Sequence, residues 1–528
     1  MQRLSSYVAG RWFEGTGTPA ALVNPATEAV LAETNADGID MGEVLAHARG
    51  IGGPTLRAMS FAERAALLMT LSKQLHAARE ELLDLAQANC GATRGDAKFD
   101  VDGAIGTLAH YATVGESLAA RMGERRFLVD GDSFPLARGP RFVGQHLWTT
   151  RQGVAVHVNA FNFPVWGTFE KVAVAFLAGV PVITKPATAT ALAAWRAVQV
   201  LVESGRLPAG SLQFIAGGTG DLLTRLGSQD ALAFTGSNAT GAMLRGTAGF
   251  AERGVRVNVE ADSLNATVLA PDIEVGSECW NTFVRNIVTD MTQKTGQKCT
   301  AIRRILVPRE RLEDVREALT DRLSGVVTGD PTTDGVTMGP VSTRSQLRDV
   351  LAGVQALVDS GAKVLTGGPT RIDGRNVAAG AGYFVAPTLL EVADGAAPGP
   401  VHDLEVFGPC ATILPYDGGA GVAACIVAMG QGSLVTSVAS DDRAWIEEFV
   451  LGAASSLGRL MVISSKIADQ PIAPGMVLPT LVHGGPGRAG NGEELGGERG
   501  LAFYMQRTAL QGDRVILGKL FGGEAGEG

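Results

Sequence analysis

The chain has no apolar run long enough to cross a membrane. Its longest, around residues 172–183, is broken by Gly179 and Pro181 and falls short of the ~20 residues a spanning helix requires. The first residues, Met1-Gln2-Arg3-Leu4-Ser5-Ser6-Tyr7, lack an apolar h-region, so no secretory leader is expected and the cytoplasm is the expected location. No block of lysine and arginine relieves the net charge of −9, which argues against nucleic-acid binding. The seven histidines form no HxxxH or HExxH pattern, and the five cysteines (Cys90, Cys279, Cys299, Cys410, Cys425) show no paired ligand spacing. No metal site is therefore expected. An odd number of scattered cysteines also argues against a disulfide framework and fits a reducing compartment.

What is present is material for about three domain-sized units in 528 residues. A hydrophobic content of 45% with 69 glycines describes a loop-rich α/β protein. Between residues 153 and 271 the hydrophobic period switches repeatedly. Short β-branched runs at 154–158, 182–184, 212–215, 231–235, 255–259 and 265–269 read as strands. Helical spacing separates them at 165–177, 189–202, 220–226 and 240–250. Such alternation predicts βαβ units, hence a parallel sheet that binds ligands beyond the carboxyl ends of its strands. A second alternation follows, with expected strands at 305–307, 364–365 and 384–385 and helices at 312–326 and 342–360. Segments 141–148 and 502–510 read as strands outside both sheets. The glycine-dense tract 484–500 reads as having no regular structure, either a surface loop or the lining of a site.

The chemistry centres on Cys299, in Thr295-Gly296-Gln297-Lys298-Cys299-Thr300. Its neighbours are small and polar, unlike the apolar setting of a structural cysteine. A free thiol is mostly protonated at pH 7, so a nucleophilic role requires a base or donors nearby. Asn162, in Ala160-Phe161-Asn162-Phe163-Pro164, follows the first strand of the βαβ region and offers an amide as an oxyanion donor; by itself it reads more readily as a turn asparagine before proline. Lys185, in Thr184-Lys185-Pro186, ends the second strand, where it can meet a ribose or phosphate. The run Phe234-Thr235-Gly236-Ser237-Asn238-Ala239-Thr240-Gly241 leads from a strand into a helix whose N-terminus favours a pyrophosphate. Glu260, in Val259-Glu260-Ala261, ends a strand between apolar neighbours and suits a general base.

Taken in order with Glu405-Val406-Phe407-Gly408-Pro409, these motifs resemble the NAD(P)-dependent aldehyde dehydrogenase superfamily over nearly the whole chain. The resemblance begins at Tyr7-Val8-Ala9-Gly10-Arg11-Trp12 and ends at Gly500-Leu501-Ala502-Phe503-Tyr504. It implies an α/β fold with two parallel-sheet Rossmann-like domains plus a small β extension for oligomerisation. The implied boundaries are 1–138 with 153–264 for the cofactor-binding domain, 265–500 for the catalytic domain, and 139–152 with 501–528 for the oligomerisation strands. Cys299 is implied as the nucleophile, Asn162 as the oxyanion donor and Glu260 as the water-activating base. Lys185, Thr188, Gly218, Gly236, Ser237, Gly241, Glu405 and Phe407 are implied to bind the cofactor. A homodimer is expected, with a tetramer as the alternative.

Two departures sharpen the reading. Many NAD-preferring members carry a glutamate where this chain has Thr188; threonine leaves room for a 2′-phosphate, so NADP is expected, with NAD the weaker choice. The sequences Glu260-Ala261-Asp262-Ser263 and His483-Gly484-Gly485-Pro486-Gly487-Arg488 resemble one branch of the family, which oxidises CoA-linked semialdehydes formed by ring cleavage of aromatic acyl-CoA epoxides. A stand-alone member of that branch, serving aerobic benzoate degradation, is the expectation. A simpler aliphatic or aromatic aldehyde, a CoA-acylating reaction (against which Glu260 argues) and a catalytically silent structural protein are the alternatives. Arg121, Arg125 and Arg126 read as solvated surface charge. Glu494 and Glu498 both match a family glutamate that assists proton transfer, and an extra glycine leaves the choice between them open.

Overall fold

Two seven-stranded sheets dominate the computed structural model, which describes residues 2–470 and 473–521. In the first, the strand Ala155–Val158 lies at the centre. Val182–Lys185 and then Leu212–Phe214 flank it on one side, Ala231–Thr235 and then Arg256–Glu260 on the other, all parallel. The hairpin Ser6–Val8 and Arg11–Phe13 adds an antiparallel edge. Successive residues of each strand enter opposite cores, as the two-residue period requires. Ala155, Val182 and Ala231 pack under the helices Phe61–Ala77, Arg94–Met122 and Pro164–Ala178. Val156, Ile183 and Leu232 pack on the opposite face. Both faces being covered explains why the strands are almost uniformly apolar.

Because strand order reverses at Ala155–Val158, the carboxyl ends of this strand and its neighbours open a crevice. Facing it is the second sheet, in the order Lys363–Thr366, Thr388–Glu391, Cys410–Tyr416, Arg304–Pro308, Ala266–Leu269, Thr436–Ala439, Leu460–Ile463. Only its first strand is antiparallel. The strands Phe127–Pro135, Phe142–Thr150 and Met505–Asp513 form a separate antiparallel sheet. The α/β architecture with two parallel-type sheets and a small β extension is the one the sequence predicts.

Several local expectations are corrected. The strand expected at 384–385 is only a single bridge between Val385 and Arg371; the ladder begins beyond Pro387, at Thr388, because proline has no N–H to give it. The helix expected over 240–250 is two short ones, Asn238–Arg245 and Ala248–Arg253, parted at Gly246 and Thr247. The expected strand at 502–510 is shifted, since Leu501–Tyr504 forms a helical turn before it. The tract 484–500 is not irregular: Val482–Gly485 pairs antiparallel with Gly492–Leu495.

Between the helix Glu278–Thr292 and Cys299 the chain bends through three left-handed residues, Lys294 (φ 52°), Thr295 (φ 56°) and Gly296 (φ 66°). For a non-glycine residue this conformation costs about 1–2 kcal/mol. Side-chain bonds hold it in place. Thr295 Oγ1 donates to Gly339 O at 2.9 Å, Gln297 Nε2 to Lys294 O at 3.1 Å, and Lys298 Nζ meets the buried Asp290 carboxylate at 2.6 Å. At Gly296 an added Cβ would lie 2.2 Å from Gly408 O. Gly296→Ala is therefore expected to lower stability to chemical denaturation by at least about 2 kcal/mol and to displace Cys299. An unchanged unfolding midpoint would refute the close approach.

Candidate active site

The crevice gathers side chains from both sheets. Asn162 leaves the central strand Ala155–Val158 just before the helix Pro164–Ala178. Its Nδ2 donates to Gln297 O at 3.0 Å, two residues before Cys299. An amide carries two N–H groups, so one remains for an oxyanion. Asn265 braces the other side of the loop, donating to Cys299 O at 2.7 Å and Ala301 O at 2.9 Å. Asn162, Glu260 and Cys299 line one inner pocket.

From there Cys299 looks out into a cavity of about 250 Å³ walled by Phe99, Phe163, Trp166 and Val477, with Asp102 among its lining residues. Phe163 stands edge-on to Phe99 at 5.4 Å and to Trp166 at 5.6 Å. This apolar wall suits an aliphatic or aromatic chain reaching the sulfur.

Glu260 ends its strand with the carboxylate buried, 3.2 Å from His483 Nε2. Burial, the largest single influence, would raise its pKa, but His483, Lys171 and a hydrogen bond from the Cys299 thiol together hold it below the ordinary carboxylate range. The Cys299 thiol is pushed well up by burial, with Glu260, Glu170 and Glu405 adding to the effect. A pair of carboxylates surrounds Lys171, which meets Glu170 at 2.7 Å and Glu494 at 3.2 Å. Burial lifts Glu170 to about 8, with Glu494 and Glu260 reinforcing it against Lys171. Glu494 is raised by burial and accepts from Asn258 Nδ2 at 3.1 Å. Glu498 lies elsewhere, half-exposed and paired with Arg121 at 2.6 Å. Of the two glutamates, only Glu494 is brought to the crevice, and Arg121 is a surface partner.

The residues expected around a dinucleotide lie along the same crevice. Lys185 ends the second strand and Thr188 follows it, both half-buried, and burial lowers the pKa of the Lys185 ammonium. The space beside Gly218 is open. Among the described residues Glu405 Oε1 is buried with no hydrogen-bond donor, Arg303 Nε standing 3.5 Å away, and Thr235 Oγ1 likewise has no partner. A ribose hydroxyl or an amide is the kind of partner both lack, so these residues fit such a group. Phe407 sits edge-on to Phe161 at 5.8 Å beside Glu405. Three features of the phosphate motif have structural reasons of their own. A Cβ at Gly236 would strike the Phe234 ring at 2.5 Å, and one at Gly241 would meet Val259 at 2.8 Å. Ser237 caps its helix by accepting from Thr240 N, while Asn238 N already donates to Asp262 at 2.9 Å.

His483 and Lys171 are the residues sequence reasoning passed over. His483 stood only as part of a branch motif, and Lys171 sits mid-helix in an apolar run that gives no sign of its buried partners.

With this geometry in view, the comparisons are direct. The model of the aldehyde dehydrogenase family matches residues 12–510. A curated relative, the 3,4-dehydroadipyl-CoA semialdehyde dehydrogenase of Aromatoleum evansii, is 43% identical over 484 residues, covering 92% of this chain and 93% of that protein. Among solved structures, a betaine aldehyde dehydrogenase point mutant from Staphylococcus aureus in complex with NAD+ superposes with a TM-score of 0.82 at 20% identity, covering 96% of this chain and 97% of that one. PnpE from Pseudomonas sp. WBC-3 gives 0.81 at 22% identity, covering 97% of each. Matched in sequence over nearly its whole length and in fold throughout, the chain belongs to the aldehyde dehydrogenase family.

Proposed function

We propose that this aldehyde dehydrogenase oxidises a CoA-linked semialdehyde, 3,4-dehydroadipyl-CoA semialdehyde, to the acid with NADP in aerobic benzoate degradation in the cytoplasm. The observation that carries the reaction is Cys299 at the foot of an apolar cavity, sharing its inner pocket with Asn162 and Glu260. The identity to a protein of that name supports the substrate. The Cys299 thiol gives its proton to the Glu260 carboxylate beside it, Sγ adds to the aldehyde carbonyl carbon, and the carbonyl π pair moves to the oxygen, which the free N–H of Asn162 and the Cys299 backbone N–H hold. A bound nicotinamide dinucleotide supplies the hydride acceptor. Once it has passed that proton on, Glu260 draws another from water, whose oxygen attacks the thioester carbon; the C–S bond breaks with its pair staying on sulfur, and the acid leaves. An assay of a panel of free and CoA-linked semialdehydes tests the substrate, with Cys299→Ala expected to abolish turnover. A clear preference for short free aldehydes sinks the CoA-linked reading.

For the cofactor, Thr188 supports NADP, because no carboxylate stands there to repel a 2′-phosphate. Thr188→Glu is expected to shift the ratio of kcat/KM from NADP towards NAD by at least about tenfold. Equal wild-type efficiencies with the two cofactors would count against the proposal.

Glu494 is proposed to pass the proton from Glu260 onwards past Lys171, a role its buried ion pair supports. Glu494→Gln should keep the hydride-transfer burst and slow the steady state, whereas Glu498→Gln should leave both unchanged. An unaltered steady-state rate in Glu494→Gln removes it from the path.

The chain is proposed to form a homodimer, or a tetramer, through the three-stranded sheet. Phe134, Phe142 and Ile516 are apolar and exposed on and beside that sheet, an arrangement that favours a partner. Light scattering should give at least a dimer, and Ile516→Glu should weaken it. A monomeric wild type at micromolar concentration would overturn this.

A further inference from the structure

Local spacing in the sequence predicts no metal site, because spacing cannot see side chains that only the fold brings together. Cys299 and His483 stand 184 positions apart, yet His483 Nε2 lies 3.9 Å from Cys299 Sγ. The same nitrogen lies 3.2 Å from Glu260 Oε1. One donor atom from each of Glu260, Cys299 and His483 falls within 4.8 Å of the other two. Among the described residues no other group of three or more His, Cys, Asp or Glu comes so close.

These separations are those of ligands around one small cation. Zinc bonds sulfur at ~2.3 Å, an imidazole nitrogen at ~2.0–2.1 Å and a carboxylate oxygen at ~2.0–2.2 Å, in tetrahedral geometry. Tetrahedral angles then set nitrogen and oxygen about 3.4 Å apart, and sulfur and nitrogen about 3.6 Å apart. The observed pairs depart from those values by an amount that a small change of side-chain torsion covers. The three ligands are also held by separate elements. Glu260 ends the strand Arg256–Glu260, and His483 lies on the strand Val482–Gly485 with its ring edge-on to Trp166 at 6.0 Å. The Asn265 amide fixes the Cys299 carbonyl. Ligands placed before the ion arrives lose little freedom on binding it.

An independent feature points to a cation at this spot. Both oxygens of Glu260 are buried, and neither is capped by an aligned N–H or O–H donor among the described residues. His483 Nε2 stands within ion-pair range but out of line for a hydrogen bond. Buried carboxylate oxygens ordinarily have such donors, so two that lack them mark a place for a positive ligand. Negative charge also surrounds the cluster. Glu170 and Glu405 act on Cys299, and Glu494 faces Glu260, with Lys171 and Arg459 in opposition. The cavity of about 250 Å³ that Cys299 lines gives an ion its way in and a water its room.

We propose that Glu260, Cys299 and His483 form a tetrahedral zinc site, with water as the fourth ligand, whose occupation reversibly blocks the enzyme. A thiolate, an imidazole and a carboxylate select a borderline cation such as zinc over magnesium or calcium, which favour oxygen alone. On binding, the S–H bond of Cys299 and the Nε2–H bond of the His483 imidazolium break. Both protons pass to solvent, the two freed pairs form the Zn–S and Zn–N bonds, and Glu260 gives an oxygen pair; no atom changes oxidation state. The ion thereby occupies the nucleophile and its base at once. Binding stands apart from the reaction proposed above, whereas the block rests on that reading of Cys299 and Glu260. With only three protein ligands and one exchangeable position, the ion remains open to a chelator.

The test uses untagged, metal-free, full-length protein kept reduced and anaerobic, with cobalt(II) as the spectroscopic probe and zinc as the competing ion. Wild type is expected to bind one cobalt per chain, with an intense sulfur-to-metal charge-transfer band and the visible bands of a tetrahedral site. One equivalent of zinc should bleach both. Cys299→Ser should lose the charge-transfer band. His483→Phe should weaken zinc at least about 100-fold, the upper limit for loss of an outer-shell partner alone. Cys425→Ser, which removes an exposed thiol, should keep the band. X-ray absorption of zinc-loaded wild type reads the ligands without any variant; one sulfur at ~2.3 Å and three nitrogen or oxygen neighbours at ~2.0–2.2 Å are expected. The proposal is overturned by a wild type without the charge-transfer band, by a band lost with Cys425, or by a sulfur count other than one. Equal zinc affinity in a folded His483→Phe protein overturns it too. Zinc should also stop wild-type turnover until EDTA is added, and magnesium at the same concentration should not; turnover that persists in zinc-saturated protein overturns the block. If the one-sulfur site forms while no aldehyde is oxidised, the proposed reaction fails and the site stands. If aldehyde is oxidised and no ion binds, only the site falls.

Discussion

A bend of three left-handed residues, Lys294, Thr295 and Gly296, is the constraint on which the site depends. It ends the helix Glu278–Thr292 and returns the chain against the Gly408 carbonyl, so that Cys299 points into the cavity. The bend is unfavourable in isolation, and the bonds that hold it come from distant parts of the chain. Asn162 leaves the first sheet to bond the Gln297 carbonyl, Asn265 leaves the second to bond the Cys299 carbonyl, and Arg303 spans Gly296 O and Gly408 O. The nucleophile is thus fixed only when both sheets are in place. Side chains locked in this way hold a reacting atom to the precision that catalysis requires.

Around the bend the fold buries more carboxylates than it pairs. Glu170, Glu260, Glu405 and Glu494 face Lys171, Arg303 and His483. An unpaired buried charge costs several kcal/mol, so burial pushes the pKa of carboxylates in such a surplus upward. Glu170 is lifted to about 8 and Glu405 to about 7, chiefly by burial, while Glu260 is held ionised by His483. Groups of one kind are therefore driven apart in basicity by their neighbours, which places a base and proton-holding acids within one small space near neutral pH.

The legible parts of the site were those tied to local grammar. Asn162, Lys185 and Glu260 each sit at or just beyond the end of a β-branched run, and Cys299 follows a clear amphipathic helix, so a parallel-sheet reading brings them to one edge. The illegible parts depend on contacts far apart in sequence. Lys171 lies in a helix buried on every side, where periodicity gives no direction, and its partner Glu494 is more than 300 residues away. The strand Phe127–Pro135 escaped because Asp130, Gly131 and Asp132 interrupt its apolar alternation; Gly131 takes a φ of 70° and the register shifts there. Glu494 and Glu498 could not be separated by spacing, since only the pairing of His483 with Glu494 across a hairpin turns one of them inward.

The glycine-rich tract 484–500 shows how a compositional signal can invert. Dense glycine usually marks backbone that gains nothing from order, because each residue loses much freedom on folding. Here the missing side chains are what permits order. A Cβ at Gly490 would lie 2.1 Å from Val259 O and one at Gly492 2.4 Å from the same oxygen, while at Gly484 it would meet Gly492 O at 2.0 Å. The hairpin consequently lies directly on the end of the strand Arg256–Glu260. Ala261 N donates to Ala489 O, and Asn258 bonds both Glu493 N and the Glu494 carboxylate. Any larger residue would lift the hairpin by an ångström or more, and the 3.2 Å contact between His483 and Glu260 is too short to survive that. Glycine in this tract therefore acts on catalysis through distance: it lets two backbones touch so that an imidazole, a carboxylate and a thiol can meet.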